Sequence, residues 1–227
     1  MIPWLTSTTD FPSVMLALQE PNGLLAAGGM LNPDWLIAAY QRGIFPWFNE
    51  GQPILWWSPD PRMVLFPSEL HVPKSLARVM RKGDYEIRVD TVFEAVMTAC
   101  SLPRHEQSGS WISTEMVAAY TGLHHLGLAH SVETWQHGEL VGGLYGVALG
   151  QVFYGESMFA KSDNASKIAF VHLVQQLRQW DFKVIDCQMN TAHLARFGAR
   201  EIARADFMQI LQHNEGVPSL PWQFTER

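Results

Sequence analysis

Three polar side chains stand in apolar sequence, and each is of a type that can bind a ligand or handle a proton. Glu156 interrupts the strand-like pattern VFYGESMF, and Asp186 and Gln188 end the run KVIDCQ. A carboxylate inside an apolar strand is unfavourable unless it is paired or hydrogen-bonded. Glu156 therefore has either a partner within the fold or a cationic ligand.

Asp186 and Gln188 lie two residues apart, so on a strand they share a face while Cys187 points the other way. Cys187 is then most simply a small core residue. Two interpretations of the polar pair stay open. The carboxyl ends of strands are where the sites of α/β proteins gather, which favours catalysis. Alternatively, the pair caps the turn after the strand.

The segment HVPKSLARVMRKGDYEI indicates a different chemistry. Its basic residues recur at helical spacing and share one face, and they are Lys74, Arg78, Arg81 and Lys82. A solvated basic face is common and requires no ligand. The alternative is a surface that docks phosphates. A net charge of −6 argues against coating nucleic acid by bulk charge but allows such a local patch.

Residues 42–62, RGIFPWFNEGQPILWWSPDPR, combine three tryptophans with several prolines. Proline fixes φ and removes a backbone donor, so this stretch is too broken for a core helix. One interpretation is a rigid loop that plugs the core, because aromatic side chains mostly serve packing. The other is the wall of a pocket for a flat, apolar ligand.

The secondary-structure elements that must position these residues are predicted from hydrophobic periodicity and from turn-forming residues. The first sixty or so residues predict a small, loop-rich domain with one helix, and the remainder predicts an α+β domain with a mixed sheet. The HG turn between two apolar runs predicts a hairpin. Helices are predicted at 33–42, 73–82, 91–101, 114–126, 164–180 and 204–213, and strands at 85–89, 129–136, 139–149, 151–158 and 182–188.

Composition excludes several classes of protein. The chain has 227 residues, of which 47% are hydrophobic, so it can bury a core and leaves little room for disorder. No apolar run is long enough for a membrane span, and the N-terminus lacks a signal-peptide pattern. Two isolated cysteines suggest a reducing compartment. Nine histidines show no metal-ligand spacing, so we expect no metal site.

Several longer motifs occur in order between Glu20 and Arg204: EPNGLLAAGG, AYQRGIFPWF, PILWWSPDPR, GELVGGLYGV, GESMF, NASK and IDCQ. Together they resemble the leucyl/phenylalanyl-tRNA–protein transferases. The resemblance implies an N-terminal domain, here 1–62, and a domain like the GNAT acetyltransferases, here 63–227. It implies transfer of leucine or phenylalanine, and less readily methionine, from aminoacyl-tRNA to proteins that begin with arginine or lysine. That transfer marks them for degradation through the N-end rule pathway.

The resemblance also implies a hydrophobic pocket for the aminoacyl side chain at the domain junction. Tyr40 and Trp47 match the family's neighbours of the terminal adenosine, and stacking of a base on an aromatic ring is worth about 1–3 kcal/mol. Leu173, Leu177 and Thr191 depart from some relatives, which carry phenylalanine or asparagine there. The matching pocket positions are Trp47, Trp111, Leu144, Phe153, Met158, Phe170, Leu173, Leu177 and Ile185.

The implied reaction is aminolysis of an activated ester, so no cofactor is expected. On this hypothesis Asp186 polarises Gln188, Gln188 touches the attacking amine, and Glu156 orients the acceptor. The amine proton goes to one of these groups or to the 2′-hydroxyl of the tRNA. The basic helix would hold the tRNA backbone. We expect a cytoplasmic monomer that has no membrane partner.

Two rival functions stay open. The first is an acetyl-CoA-dependent acetyltransferase, although the loop FAKSDNASK lacks the glycines that would let backbone amides approach a pyrophosphate. The second is a module that binds aminoacyl-tRNA or an amino terminus without catalysis. It would share the pocket and the basic helix but would not need Asp186 and Gln188.

Overall fold

The computed structural model describes residues 2–6, 8–102, 112–214 and 222–224. The first helix begins where the sequence supplies a cap: the Asn32 side chain accepts a hydrogen bond from the Trp35 amide, and Pro33 occupies the first turn. The predicted helices are confirmed, with ends within two residues of those expected. The helices are α1 (Pro33–Tyr40), α2 (Lys74–Arg81), α3 (Phe93–Ser101), α4 (Thr114–His125), α5 (Ala165–Gln179), α6 (Ala192–Ala195) and α7 (Arg204–Gln212).

The predicted strands are confirmed too. The strands are β1 (Trp4–Leu5), β2 (Leu24–Gly28), β3 (Phe45–Pro46), β4 (Leu55–Trp57), β5 (Arg62–Leu65), β6 (Glu86–Val89), β7 (Ala129–Gln136), β8 (Glu139–Leu149), β9 (Val152–Ala160), β10 (Val184–Gln188) and β11 (Arg200–Ile202). Sequence reasoning missed helix α6, strand β11 and the first five strands. Elements of two to five residues are too short to show a period.

The strands form two sheets. The small sheet has the order β1-β2-β4-β3, and the large sheet has the order β11-β5-β10-β9-β8-β7-β6. In the large sheet β10 is parallel to β9 and antiparallel to β5, so the predicted α+β fold with a mixed sheet is confirmed. His137 and Gly138 join β7 and β8 with φ of 53° and 80°, the positive values that a tight hairpin turn requires.

Helices cover both faces of the large sheet. Helix α5 packs on one face against β7, β8 and β9, and α3 packs on the other. The second face also shares a single core with the N-terminal segment, since Tyr40 and Trp56 lie in the same hydrophobic cluster as Tyr154. The small sheet ends at Trp57 and the large sheet starts at Arg62. A domain division at residue 62 stays a prediction.

The aromatic run has a buried face and an exposed face. Trp56 is fully buried and its indole N–H donates to the Gly28 carbonyl at 2.9 Å. Trp47, by contrast, is 39% exposed and packs edge-on against Trp57. The Trp57 indole N–H donates to the Trp47 carbonyl at 2.6 Å. One face of the run is therefore core, and the other presents an aromatic pair to solvent.

Candidate active site

Strands β9 and β10 pair only over part of their length, and a pocket opens where they separate. Their parallel pairing ends at Asp186 and Tyr154. Beyond that point β9 continues against β8, and β10 continues against β5. The gap, together with the open solvent at its mouth, comprises about 450 Å³ of space not occupied by atoms. Its walls are mostly apolar and consist of Leu144, Tyr145, Phe153, Gly155, Glu156, Ser157, Met158, Phe170, Leu173, Ile185, Asp186, Cys187 and Leu194.

Six of the residues predicted to form an apolar pocket line this one: Leu144, Phe153, Met158, Phe170, Leu173 and Ile185. Leu177 is fully buried in the same cluster, behind the lining. Leu194 was missed by sequence reasoning, because it lies in the four-residue helix α6, which has no readable period. Three predicted residues remain to be accounted for.

Those remaining residues are Trp47, Trp111 and Thr191. Trp47 is on the surface beside Trp57, and Thr191 caps α6 by accepting a hydrogen bond from the Leu194 amide. Trp111 lies outside the described residues. The structure thus brings six of the predicted pocket residues together and leaves Trp47 and Thr191 out of the lining.

Glu156 lies at the pocket because β9 bulges there. The pairing of β9 with β8 shifts register between Gly155 and Ser157, which leaves Glu156 as the extra residue. Bulges re-aim a side chain in this way. Opposite the bulge, a Cβ on Gly146 would come within 2.3 Å of the Tyr154 carbonyl oxygen, so the strand pairing needs glycine at that position.

Three neutral donors hold the Glu156 carboxylate. Oε1 accepts hydrogen bonds from the Tyr40 hydroxyl at 2.7 Å and from the Gln188 amide at 2.9 Å, and Oε2 accepts one from the Tyr120 hydroxyl at 3.0 Å. Burial raises the pKa of Glu156 to about 7, although these three bonds lower it. Glu156 therefore changes charge near neutral pH.

The two tyrosines beneath Glu156 are fully buried, and their hydroxyl groups also contact each other. Burial, with the Glu156 carboxylate nearby, raises the pKa of Tyr40 and of Tyr120 well above the ordinary value. Both hydroxyls therefore stay protonated and available as donors. Tyr40 was predicted beside a bound adenosine, and it lies inside the core next to Glu156. Tyr120 was missed, since nothing in its helix distinguishes it from a core tyrosine.

Gln188 reaches Glu156 from a second bulge. The pairing of β10 with β5 shifts register between Asp186 and Gln188, and Gln188 adopts a φ of 62°. The regular alternation expected along β10 therefore fails at Cys187. The Gln188 backbone N–H donates to Asp186 Oδ1 at 2.9 Å, while its side-chain amide donates to Glu156. Two bulges thus face each other across the gap.

Asp186 is fully buried and paired with Arg62. Arg62 Nε donates to Asp186 Oδ1 at 2.8 Å and Nη2 donates to Oδ2 at 2.6 Å. Asp186 contacts the backbone of Gln188, whereas the sequence-based hypothesis has it polarise the Gln188 side chain. Arg62 was missed by sequence reasoning, although it shares the signal that singled out Glu156, a charge beside an apolar strand sequence.

Helix α2 carries the predicted basic face. Lys74, Arg78, Arg81 and Lys82 are all exposed, and Leu76 is the buried residue of the helix. Within the described residues, none of the four basic side chains makes a hydrogen bond or an ion pair. The face is therefore available to an anion.

The raised pKa of Glu156 predicts how stability depends on pH. The pKa is 4.5 ordinarily and about 7 in the fold, so between these values the folded protein holds a proton that the unfolded chain has lost. Stability therefore falls as pH rises through this interval. Since one pH unit corresponds to about 1.4 kcal/mol, the loss is about 3 kcal/mol. Denaturant unfolding of the wild type and Glu156→Gln, below and above the interval, measures it.

Glu156→Gln removes the titrating group and keeps the side-chain shape, so other ionisable groups contribute alike to both proteins. The free energy of unfolding of the wild type should fall more steeply with pH than that of the variant. Parallel curves for the two proteins would contradict the raised pKa.

Within the residues described, no group of three or more His, Cys, Asp or Glu side chains is placed to hold a metal ion. In the same part of the chain, every helix is too short or too polar to cross a membrane.

Comparison with known proteins identifies the family. Residues 64–212 match the sequence profile described as leucyl/phenylalanyl-tRNA protein transferase, and residues 29–60 match its N-terminal domain. These profiles describe a transferase that uses aminoacyl-tRNA and a protein. The chain belongs to the leucyl/phenylalanyl-tRNA protein transferase family, and it is therefore an aminoacyltransferase. Neither rival function is that of the family.

Individual relatives support the same family assignment. A leucyl/phenylalanyl-tRNA–protein transferase from Nitrosospira multiformis is 65% identical over 212 residues, covering 93% of this chain and 91% of that protein. One from Nitrosomonas europaea is 58% identical over 226 residues, covering 99% and 96%. A solved GCN5-related N-acetyltransferase from Kribbella flavida matches with a TM-score of 0.36 and 11% identity, covering 76% of this chain and 62% of that one. The structural similarity is remote.

Proposed function

We propose that this aminoacyltransferase joins leucine or phenylalanine, and less readily methionine, to the α-amine of proteins that begin with arginine or lysine. The product would enter degradation through the N-end rule pathway. We further propose that the enzyme acts as a cytoplasmic monomer. The observation that carries the acceptor preference is the Glu156 carboxylate, which faces an apolar pocket and is held by neutral donors.

The two acidic groups at the pocket differ in their partners. Asp186 is neutralised by the Arg62 guanidinium, so it has no charge left to offer a ligand. Glu156 is hydrogen-bonded but receives no compensating charge from Tyr40, Tyr120 or Gln188. A buried ionised carboxylate is stabilised by a cation. The positive side chain of an N-terminal arginine or lysine supplies one.

The apolar lining is proposed to hold the aminoacyl side chain. Phe153, Phe170 and Ile185 provide flat and branched walls, and Met158 is flexible enough to accommodate side chains of different shape. Apolar walls distinguish methylene groups weakly. Acceptance of leucine, phenylalanine and methionine follows from these two properties.

The aminoacyl ester is already activated, so the enzyme mainly has to position the reactants. The acceptor nitrogen attacks the ester carbonyl carbon, a C–N bond forms, the C–O bond to the terminal ribose breaks, and the ribose oxygen leaves with a proton. An α-amine has a pKa of about 8, so it must lose a proton first. Glu156, with a pKa of about 7, is matched to accept that proton near neutral pH.

The experiment that tests the proposed function is a transfer assay. Leucyl-, phenylalanyl- and methionyl-tRNA are each incubated with peptides that are identical except for an N-terminal arginine, lysine, citrulline or alanine. We expect transfer to the arginine and lysine peptides, fastest from the first two tRNAs. Equal transfer to all four peptides would contradict the acceptor preference.

The basic face of α2 is proposed to hold the tRNA backbone, since phosphate contacts fix position without reading sequence. Arg78→Gln together with Lys82→Gln should weaken binding of all aminoacyl-tRNAs alike. The slope of log affinity against log salt should flatten by about 0.7–0.9 for each phosphate group that the variant no longer neutralises. Binding titrations at several salt concentrations measure this.

The matched control is Arg178→Gln with Lys183→Gln, which removes two other exposed positive charges. It should leave the salt dependence unchanged. The α2 variant should also transfer normally from a short aminoacyl-adenosine analogue, which has no backbone to grip. An equal loss with the analogue would mean that α2 supports the fold and that tRNA docks elsewhere.

A further inference from the structure

Arg62 is the most completely engaged buried cation in the described part of the chain. Its side chain is fully buried, and besides the two bonds to Asp186 its Nη1 donates to the Gly43 carbonyl at 3.0 Å. The guanidinium also lies 4.9 Å from the ring centres of both Phe45 and Phe207. Arg62 therefore joins the N-terminal segment, β10 and α7 at one point.

This arrangement fixes the Asp186 carboxylate in one orientation. A guanidinium that donates two parallel hydrogen bonds sets the plane of its carboxylate partner. Asp186 Oδ1, already bonded to Arg62 Nε at 2.8 Å, then accepts the Gln188 backbone N–H at 2.9 Å. The carboxylate thus transmits the orientation of Arg62 to the backbone at Gln188.

Gln188 needs such a restraint. Its φ of 62° lies in the left-handed region, which residues with a Cβ rarely adopt. Strained backbone persists only where the surrounding structure holds it. In this conformation the Gln188 amide donates to Glu156 Oε1 at 2.9 Å.

We infer that Arg62 is a positioning residue of the transfer site: through Asp186 it holds Gln188 in the left-handed conformation that aims its amide at Glu156. The inference rests on the proposed function in that Glu156 is taken to receive the acceptor. Asp186 then acts as a bridge between Arg62 and the backbone. Its charge serves geometry, and proton transfer belongs to Glu156.

Lysine cannot replace arginine in this role. A lysine keeps the charge but lacks the planar fork that bonds both carboxylate oxygens and stacks between two rings. Arg62→Lys should therefore lower kcat by about 10- to 100-fold, the range expected for a misplacement of about 1 Å, and leave the KM values for tRNA and acceptor nearly unchanged. Arg200→Lys, at the exposed ion pair with Glu69, is the matched control and should leave kcat unchanged.

A second measurement separates positioning from loss of fold. Arg62→Met with Asp186→Leu replaces the buried pair by apolar side chains, a change that buried ion pairs often tolerate. If this variant unfolds cooperatively near the wild-type midpoint, it is folded, yet it still lacks the acceptor for the Gln188 N–H. We expect it to lose kcat as Arg62→Lys does.

The decisive readout is the titration of Glu156, followed by carboxyl ¹³C NMR, which requires neither tRNA nor acceptor. The Gln188 amide lowers the pKa of Glu156, so its displacement should move the titration to higher pH in Arg62→Lys, which keeps the charges of both members of the buried pair. The control should titrate as the wild type does. An unmoved titration in folded Arg62→Lys would overturn the inference, whereas equal transfer by the wild type to charged and uncharged acceptors would overturn only the proposed function.

Discussion

Asp186→Ala is expected to lower the free energy of unfolding by about 3–5 kcal/mol, because removing one member of a buried ion pair leaves the other charge uncompensated. The stranded group would be the Arg62 guanidinium, which is fully buried and keeps only the Gly43 carbonyl as a hydrogen-bond acceptor among its described contacts. The Gln188 backbone N–H would lose its acceptor at the same time. Denaturant titration of both proteins at one pH measures the difference.

Two control variants show which interaction causes the loss of stability. Glu69→Ala breaks an exposed ion pair with Arg200 and should cost no more than about 1 kcal/mol. Asp186→Asn keeps an oxygen that can accept the Gln188 N–H but loses the charge, so its loss should lie between the two. A cost below about 1 kcal/mol for Asp186→Ala would mean that Asp186 is not the main partner of Arg62.

Glu156→Gln is expected to abolish the preference for a cationic acceptor. Glu156→Gln removes the proposed proton acceptor for both peptides, and for the arginine-starting peptide it also removes the partner of the cation. Hydrogen bonds to charged groups contribute about 1.5–3 kcal/mol, so the ratio of kcat/KM for the arginine-starting peptide to that for the neutral citrulline-starting peptide should fall by about 10- to 150-fold. Steady-state kinetics with the two peptides, which differ by one group, measures this difference directly.

Binding of aminoacyl-tRNA to Glu156→Gln should stay close to that of the wild type, because the apolar lining that is proposed to hold the side chain is unchanged. The ratio of the two peptides is therefore the informative quantity. If the variant discriminates between them as well as the wild type does, Glu156 does not select the acceptor.

Local sequence predicted the longer helices and strands. Helix α1 follows from the asparagine cap and Pro33, and the β7–β8 hairpin follows from His137 and Gly138. Both depend on contacts between residues close in the chain. The strands of the first sixty residues were missed since each is too short to show a period, and their pairing depends on residues distant in sequence.

The features of the candidate site also divide into those that the sequence predicts and those that depend on the tertiary structure. The sequence by itself determined that Glu156 needs a partner, because the cost of burying a carboxylate applies in any fold. The family resemblance also predicted six of the apolar residues that line the pocket. Tertiary structure alone decided the partners: Tyr40 and Tyr120 for Glu156, and Arg62 for Asp186, 124 residues away. Such pairings depend on strand order, which no local pattern specifies.

The geometry between Glu156 and Gln188 was likewise decided only in the tertiary structure. A strand period of two placed Asp186 and Gln188 as equivalent neighbours, but a bulge at Cys187 and another at Glu156 break the period in both strands. A bulge arises where pairing with a neighbouring strand slips by one residue. Its position therefore depends on both strands of a pair, and the sequence of one strand does not contain it.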